Sequence, residues 1–283
     1  MLKHYIAVFR GVYTPREVSV DALPNSAESQ LADCLRHLGQ RGFEASLWQL
    51  FRRVAVPDNL LVLAYRDTGP PQVLYSQALQ GKVFAQLEAT YLAGAYQLDP
   101  FYDMHITRVA SGVYRLRDVA PDAFQRSRYF IEYYDQTTLI DEINFVAYPA
   151  NGVSINLCLG RDTSSAQLFH PRELQVCQRI APIICALAEA HWAGLAVAPR
   201  PADDLSAALA RSIKAAHNIH LSPRQAEVAL LILRGHSTVS IALRLGVSAQ
   251  TIKVFRKQLY GRCHLSSQAE LFALMLPLLK TAV

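Results

Sequence analysis

The strongest constraint on the fold lies after residue 220, where helical patterns follow one another with turns of only a few residues. Leu221–Gln225 reads L-S-P-R-Q, with serine at the N-cap, proline at the first helical position and glutamine at the third. This is a capping box with its proline in the tolerated place. Gly235 ends this helix, and a second helix from Thr238 to Leu245 ends at Gly246. Two helices joined by so short a glycine turn predict a helix-turn-helix.

The next helix, capped by Ser248, has one apolar side and one basic side. Ile252, Phe255 and Leu259 anchor it to the first two helices. From Leu221 onward there are eight Lys and Arg residues against two Glu, while the whole chain has a net charge of only +5. A basic module therefore follows a nearly neutral body, which points to a polyanion as partner. Such a helix fits the major groove of double-stranded DNA.

A fourth helix carries an apolar stripe that indicates dimerisation. Ser267 and Glu270 form its capping box. A domain this small does not need such a stripe internally, so we expect a homodimer on an inverted repeat with half-sites about one helical turn apart. The stripe consists of Leu271, Leu274, Met275 and Leu278.

This segment resembles the LuxR-type, or NarL/FixJ-type, four-helix DNA-binding domain. The matching strings are L-S-P-R-Q-A-E-V, G-H-S-T-V-S-I-A-x-R-L-G-V-S and T-I-K-V-F-R-K-Q-L-Y. The resemblance implies a non-enzymatic, sequence-specific transcription regulator, with RNA polymerase open as a further partner. It implies that Lys253, Val254 and Lys257 face bases, and that Thr251 and Arg256 lie at or near the DNA backbone. The full set of candidate DNA contacts is Ser248, Gln250, Thr251, Lys253, Val254, Arg256 and Lys257.

The chain departs from the family's usual residues at several positions. The family usually has Glu at the positions of Gln225 and Ser240, and His at the position of Phe255. It also usually has Leu where Cys263 stands, and commonly Arg where Gln268 stands. None of these changes removes a groove lysine, but they leave the phosphate contacts open.

The sequence predicts four regions. Residues 1–25 lack clear periodicity and are interpreted as an N-terminal arm. Residues 26–195 are predicted to form a ligand-sensing domain, residues 196–217 a linker and connecting helix, and residues 218–283 the DNA-binding domain. Two prolines and two aspartates between Ala196 and Asp204 mark the linker.

Within the sensing domain, helical and strand patterns alternate. The order predicts an α/β/α sandwich on an antiparallel sheet, similar to GAF- and PAS-like sensor folds, within an α+β chain. The strand candidates are Leu60–Arg66, Gln72–Ser76, Gly112–Leu116, Glu142–Tyr148 and Val153–Leu159. The helical candidates are Ser26–Leu38, Phe43–Val54, Lys82–Leu98, Pro121–Leu139 and Pro171–Trp192.

Two clusters suggest how this domain senses a small molecule. Asp99-Pro100, following Tyr91, partly resembles the acyl-homoserine-lactone-binding domain of quorum-sensing LuxR proteins, in which an Asp holds the ligand amide. The aromatic run from Tyr129 to Tyr134, followed by carboxylates, suits a cationic amine through cation–π contact and charge pairing. The candidate ligand contacts are Trp48, Tyr65, Tyr91, Asp99, Tyr129, Tyr133, Asp141 and Glu142.

These clusters leave three alternatives for the regulatory signal. We favour a small amine or amino-acid-like effector over an acyl lactone, and control by a protein partner without any small ligand stays open. No Ser-His-Asp, Cys-His or metal-ligand spacing emerges, so we expect no catalysis, no cofactor and no metal. Five cysteines without CxxC spacing, no secretory signal and no bilayer-spanning run predict a cytoplasmic protein with no membrane partner.

Overall fold

The computed structural model describes residues 27–67, 69–195 and 204–279. The expected N-terminal arm and the linker residues 196–203 lie outside these ranges. The described residues form an antiparallel sheet flanked by helices, followed by a helical C-terminal domain. The predicted fold class is confirmed, and no described helix is long and apolar enough to cross a bilayer.

The sheet has five strands in the spatial order β2-β1-β5-β4-β3, and all neighbours are antiparallel. Every residue of the central strand β5 is buried. Asn151 and Gly152 connect β4 to β5, and Gly152 has a φ of 78°, so the Asn-Gly turn forms as predicted. The strands are β1 (Asn59–Arg66), β2 (Gln72–Ala78), β3 (Gly112–Arg115), β4 (Leu139–Ala150) and β5 (Val153–Asp162).

Three helices cover one face of the sheet: α1 (Ala27–Arg36), α2 (Phe43–Val54) and α6 (Pro171–His191). Their apolar sides pack on alternate strand residues, because successive side chains of a strand point to opposite faces. Phe51 of α2 and Phe145 of β4 are fully buried there, with ring centroids 5.3 Å apart. Of the predicted ligand contacts, Trp48 packs in this half of the core, and Asp141 lies beside it, where it accepts a hydrogen bond from the Phe169 amide.

The opposite face carries shorter elements, of which α3 (Pro100–Thr107), α4 (Leu116–Val119) and α5 (Arg128–Glu132) are α-helical. The predicted continuous helices Lys82–Leu98 and Pro121–Leu139 are wrong. The first is broken into single 3₁₀ and π turns, and Gly94 at a φ of 149° interrupts it.

The second predicted helix breaks at its capping residue. Ser127 is extended, and its hydroxyl accepts a hydrogen bond from the Phe130 amide at 3.1 Å, which starts a new short helix. Segment 121–137 is therefore irregular, and its aromatic side chains point both to the sheet and to the C-terminal domain.

The C-terminal domain consists of α7 (Leu205–His217), α8 (Pro223–Leu233), α9 (Thr238–Leu245), α10 (Ala249–Cys263) and α11 (Gln268–Leu279). The predicted capping box is present: the Ser222 hydroxyl accepts from the Gln225 amide at 3.3 Å, and Gln225 Oε1 accepts from the Ser222 amide at 3.0 Å. Gly235 and Gly246 adopt positive φ values of 91° and 64° after α8 and α9, as predicted.

The apolar stripe of α11 is covered by the chain itself. Leu271 and Met275 are fully buried and Leu278 is nearly so, because α11 packs against α5, α7 and α8. The expectation that this stripe is free for a second copy is wrong. The domain needs it internally because α11 closes the core between the sheet unit and the helix-turn-helix.

Candidate DNA-binding surface and effector cavity

The recognition-helix candidate, α10, begins at Ser248, whose hydroxyl accepts from the Thr251 amide at 3.0 Å. Ile252 and Leu259 are fully buried against the rest of the domain. The opposite side of α10 faces solvent. The predicted DNA contacts that are exposed are Ser248, Gln250, Lys253, Val254 and Lys257, while Thr251 and Arg256 are partly buried.

The exposed side of α10 is basic with one apolar position. In the described part of the chain, Lys253 and Lys257 form no ion pair. Val254 is 45% exposed between them. Arg256 is held in place, since its Nη1 donates to Thr238 Oγ1 of α9 at 3.1 Å. The two lysines and the valine are thus available to a partner, as groove contacts require.

A cavity lies between the second face of the sheet and the aromatic segments. It measures about 50 Å³, taken as the space that the centre of a water molecule can reach. Five predicted ligand contacts line it together: Tyr91, Asp99, Tyr129, Tyr133 and Glu142. The other lining residues are Asn59, Leu61, Leu63, Val83, Phe84, Leu87, Tyr134, Thr137, Leu139 and Cys158.

Asp99 reaches the cavity from the N-terminus of α3. Its Oδ1 accepts from the Phe101 amide at 2.8 Å, and its Oδ2 accepts from the Tyr91 hydroxyl at 2.7 Å. Tyr65 stands behind Tyr91 and hydrogen-bonds to its hydroxyl, so it belongs to the same network without lining the cavity. Burial raises the pKa of Asp99 to about 6, although its hydrogen bonds favour the charged form and so act to lower the pKa.

Glu142 reaches the cavity from β4. The Tyr134 hydroxyl donates to its Oε2 at 3.2 Å. Burial, and then the nearby charge of Asp99, raise the pKa of Glu142 to about 8. Among the described residues, no Lys, Arg or His pairs with Asp99 or Glu142.

Two predicted ligand contacts lie elsewhere. Trp48 packs on the other face of the sheet, beneath the Arg52 guanidinium at 5.6 Å from the ring centroid. Asp141 forms an ion pair with Arg115, whose Nε donates at 3.0 Å, and accepts from the Phe169 amide at 2.9 Å. Both placements correct the sequence expectation. Neighbours in a strand point to opposite faces, so Glu142 can line the cavity only if Asp141 does not.

The floor beside the cavity holds a row of buried polar groups that the sequence analysis did not single out. Asn144 Nδ2 donates to Asn156 Oδ1 at 2.7 Å, and Asn156 Nδ2 donates to Ser154 Oγ at 3.0 Å. Ser154 Oγ is 2.8 Å from His105 Nδ1. Asn144 Oδ1 is buried and has no hydrogen-bond partner among the residues that the structure describes. The signal for this row was available, because alternate residues of β4 and β5 are polar.

No group of His, Cys, Asp or Glu within the described ranges could hold a metal ion. The cysteines are free and buried. Burial raises the pKa of the Cys158 thiol at the cavity, which disfavours a reactive thiolate there. The cavity presents carboxyl groups and aromatic rings to a partner.

The family described as bacterial regulatory proteins, luxR family, matches residues 220–275. The match spans the exposed basic helix and the capped turns before it. These residues are a LuxR-family domain. The resemblance drawn from the sequence is confirmed, and the chain carries a LuxR-family DNA-binding regulator domain behind its sheet unit.

Three further proteins are similar to the chain. A proposed HTH-type transcriptional regulator in the exeN 3′ region of Aeromonas salmonicida is 29% identical over 190 residues, which cover 65% of this chain and 96% of that protein. The VqsR LBD domain from Pseudomonas aeruginosa is 21% identical with a TM-score of 0.50, covering 59% of this chain and 97% of that one. Escherichia coli SdiA is 15% identical with a TM-score of 0.40, covering 89% and 97%. The likeness to VqsR shows a shared fold.

An ion pair ties the LuxR-family domain to the sheet unit. Arg234, at the end of α8, pairs with Asp103 of α3, and its Nε donates to the Gln97 carbonyl at 3.3 Å. Gln97 Nε2 in turn donates to the Leu279 carbonyl at 2.8 Å. Arg244 of α9 lies 3.4 Å from the other oxygen of Asp103. One carboxylate of the sheet unit thus holds two arginines of the LuxR-family domain.

A second contact joins the same domain to the wall of the cavity. Asp122 Oδ1 accepts from the Ser237 amide at the start of α9, at 3.0 Å. The Ala123 amide donates to the Gly235 carbonyl at 3.1 Å, and a Cβ on Gly235 would lie 2.9 Å from Phe124 Cα. Phe124 packs on Tyr129, a cavity residue, at 6.0 Å between centroids. Segment 121–137 therefore contacts both the cavity and the helix-turn-helix.

Proposed function

We propose that the protein is a transcription regulator of the cytoplasm whose DNA binding is set by a small amine or amino-acid-like effector in the cavity. The LuxR-family domain supports the DNA-binding part. The observation that carries the effector class is the pair of partly buried carboxyl groups, Asp99 and Glu142, which line the aromatic cavity with no described cation as partner. A ligand ammonium would pair with these carboxyl groups and lie against the aromatic rings beside them.

The proposed route from effector to DNA runs through segment 121–137. A ligand that favours one arrangement of Tyr129 and Tyr133 also favours one position of Phe124, which contacts the turn at Gly235. A ligand shifts such an equilibrium only by its difference in affinity for the two arrangements. We also keep the prediction of a homodimer on an inverted repeat, with RNA polymerase as a further partner. This prediction rests on the resemblance to the family alone.

For DNA binding, we expect Lys253→Ala and Lys257→Ala each to weaken the complex while leaving the fold intact, because both side chains are exposed. A lost bidentate guanine contact would cost about 1–3 kcal/mol and relax base preference. A lost phosphate contact would weaken all sequences alike and lower the salt slope by about one. Fluorescence anisotropy on a selected operator, at several salt concentrations, measures both.

The matched control for these variants is Lys214→Ala, an exposed lysine of α7 outside the helix-turn-helix. Its affinity for DNA should stay that of the wild type. Unchanged affinity of the Lys253 and Lys257 variants at every salt concentration would show that this side of α10 does not face DNA.

For the effector, we expect primary amines such as n-butylamine to raise the melting temperature, whereas N-acyl homoserine lactones should not. A ligand at about one hundred times its Kd adds about 2.7 kcal/mol of stability. Asp99→Asn should abolish the shift, and Glu28→Gln, which changes an exposed acid of α1, should retain it. Stabilisation by lactones alone would favour the lactone alternative, and no stabilisation by either class would favour control by a protein partner.

A further inference from the structure

We propose that the sheet unit restrains DNA binding through an autoinhibitory contact, in which the carboxylate of Asp122 takes the place of a DNA phosphate at the start of α9. The carboxylate and the backbone of double-stranded DNA would compete for the same amide group. This inference rests on the proposed function, since it assumes that α10 binds DNA. It goes further by assigning how the sheet unit regulates that surface.

The first argument is the position of the start of α9, which lies beside the recognition-helix candidate. Arg256 of α10 donates through its Nη1 to Thr238 Oγ1, in the first turn of α9, at 3.1 Å. The start of α9 therefore borders the basic side of α10. In a helix-turn-helix, the helix before the recognition helix crosses the DNA backbone. Amide groups at a helix N-terminus are common donors to phosphate oxygens in such complexes.

The second argument is the group that occupies this position in the structure. The amide of Ser237, the N-cap of α9, donates to Asp122 Oδ1 at 3.0 Å. Asp122 belongs to the sheet unit, and it places a negative charge at the positive end of the α9 dipole, as a phosphate would. A backbone amide has one proton to donate. Asp122 and a DNA phosphate therefore exclude each other at Ser237.

The third argument is the close fit of the sheet unit on the turn between α8 and α9. The Ala123 amide donates to the Gly235 carbonyl at 3.1 Å, and a Cβ on Gly235 would lie 2.9 Å from Phe124 Cα. Gly235 and His236, which belong to this turn, are both buried. Residues 122–124 thus lie directly on the turn that leads into α9. They obstruct an approaching DNA backbone by their volume as well as by the charge of Asp122.

Asp103 fastens the same arrangement at the other end of α9. Its carboxylate pairs with Arg234 of α8 and lies 3.4 Å from Arg244, in the last turn of α9. Lys253 and Lys257 of α10 stay exposed in this arrangement. The sheet unit therefore leaves the predicted base-reading side of α10 free and covers the helix beside it.

Segment 121–137 connects this contact to the cavity. Phe124 packs on the cavity residue Tyr129, with ring centroids 6.0 Å apart. An effector that favours another arrangement of Tyr129 would withdraw Asp122 from Ser237. The apparent affinity for DNA would then rise with the fraction of molecules in which α9 is released.

The test measures the affinity of the effector-free, full-length protein for DNA with and without the Asp122 carboxylate. The probe is a fluorescein-labelled duplex selected from random sequences with the Asp122→Ala variant, and the readout is fluorescence anisotropy. Removing the carboxylate frees the Ser237 amide, so we expect Asp122→Ala to bind about fivefold tighter than the wild type. Asp122 is exposed, so the variant should keep its fold, and its urea midpoint checks this.

The matched control is Asp118→Ala, which removes an exposed acid of α4 in the sheet unit. It changes the net charge of the protein by the same amount as Asp122→Ala. Its affinity for the duplex should stay that of the wild type. The comparison thereby separates the contact at Ser237 from a general electrostatic effect on DNA binding.

A second measurement uses the wild type alone. When DNA displaces residues 122–124, the Ala123 amide loses the Gly235 carbonyl. Its hydrogen exchange should therefore be faster in the DNA complex than in the free protein. The Asp67 amide, which donates to the Gly152 carbonyl at 3.0 Å within the sheet unit, should exchange at the same rate in both.

The outcomes separate this inference from the proposed function. If Asp122→Ala binds the duplex no tighter than Asp118→Ala, the autoinhibitory contact is overturned and DNA binding by α10 stands. Equal or slower exchange of the Ala123 amide in the DNA complex would also overturn it. Failure of the wild type and of every variant to bind a duplex of any sequence would contradict the proposed DNA-binding function itself.

Discussion

The ligand-free wild type should become less stable as the pH rises towards 8, and the Glu142→Gln variant should not. The pKa of Glu142 is raised from its ordinary 4.5 to about 8 in the folded protein, first by burial and then by the charge of Asp99. Between these values the folded state keeps a proton that the unfolded state has released. The free energy of unfolding therefore falls with rising pH, by about 1.4 kcal/mol per unit.

Urea unfolding of wild type and Glu142→Gln between pH 6 and 8 measures this effect. Asp99 has a pKa of about 6, so it contributes mainly below this window. Between pH 6 and 8, we expect the free energy of unfolding of the wild type to fall by roughly 2–3 kcal/mol relative to that of the variant. Glu88→Gln, which changes an exposed acid near the cavity residue Leu87, should follow the wild type. Parallel profiles for Glu142→Gln and wild type would show that the pKa of Glu142 is not raised in the folded protein.

The ion pair between Asp103 and Arg234 should give the largest effect of a single substitution. The side chains of Arg234 and Asp103 are 10% and 22% exposed, and Asp103 also lies 3.4 Å from Arg244. Among the described residues, Asp103→Ala leaves the buried guanidinium of Arg234 with the Gln97 carbonyl as its one hydrogen-bond partner. Breaking a buried pair by removing one member costs about 3–5 kcal/mol.

Urea unfolding, read with hydrogen exchange at the amides of Gly235 and Ser237, should show both lower stability and earlier exchange at the interface. The control is Glu227→Ala, which removes the partner of Arg224 in an exposed pair on α8 and should cost less than about 1 kcal/mol. A loss for Asp103→Ala no larger than that of the control would show that the two units are not held together by this pair.

The cavity shows which site residues local sequence patterns could predict and which they could not. The sequence pointed to Tyr91, Asp99, Tyr129, Tyr133 and Glu142, and all five line one cavity. It also pointed to Trp48 and Asp141, which the structure places elsewhere, because periodicity says that residues share a face and not which face they share. Asp141 and Glu142 are adjacent, so only the register of β4 on β5 decides which of them enters the cavity.

The helix-turn-helix was determined by the sequence alone, because its signals act over three or four residues. Ser222 and Gln225 cap one another, and the glycines after α8 and α9 adopt the positive φ that ends a helix. Only the tertiary structure decided that Asp103 would meet Arg234, 131 residues later in the chain. It also decided that the stripe of α11 would be buried within one chain. Both depend on how the sheet unit packs against the C-terminal helices, and no pattern of neighbouring residues specifies that packing.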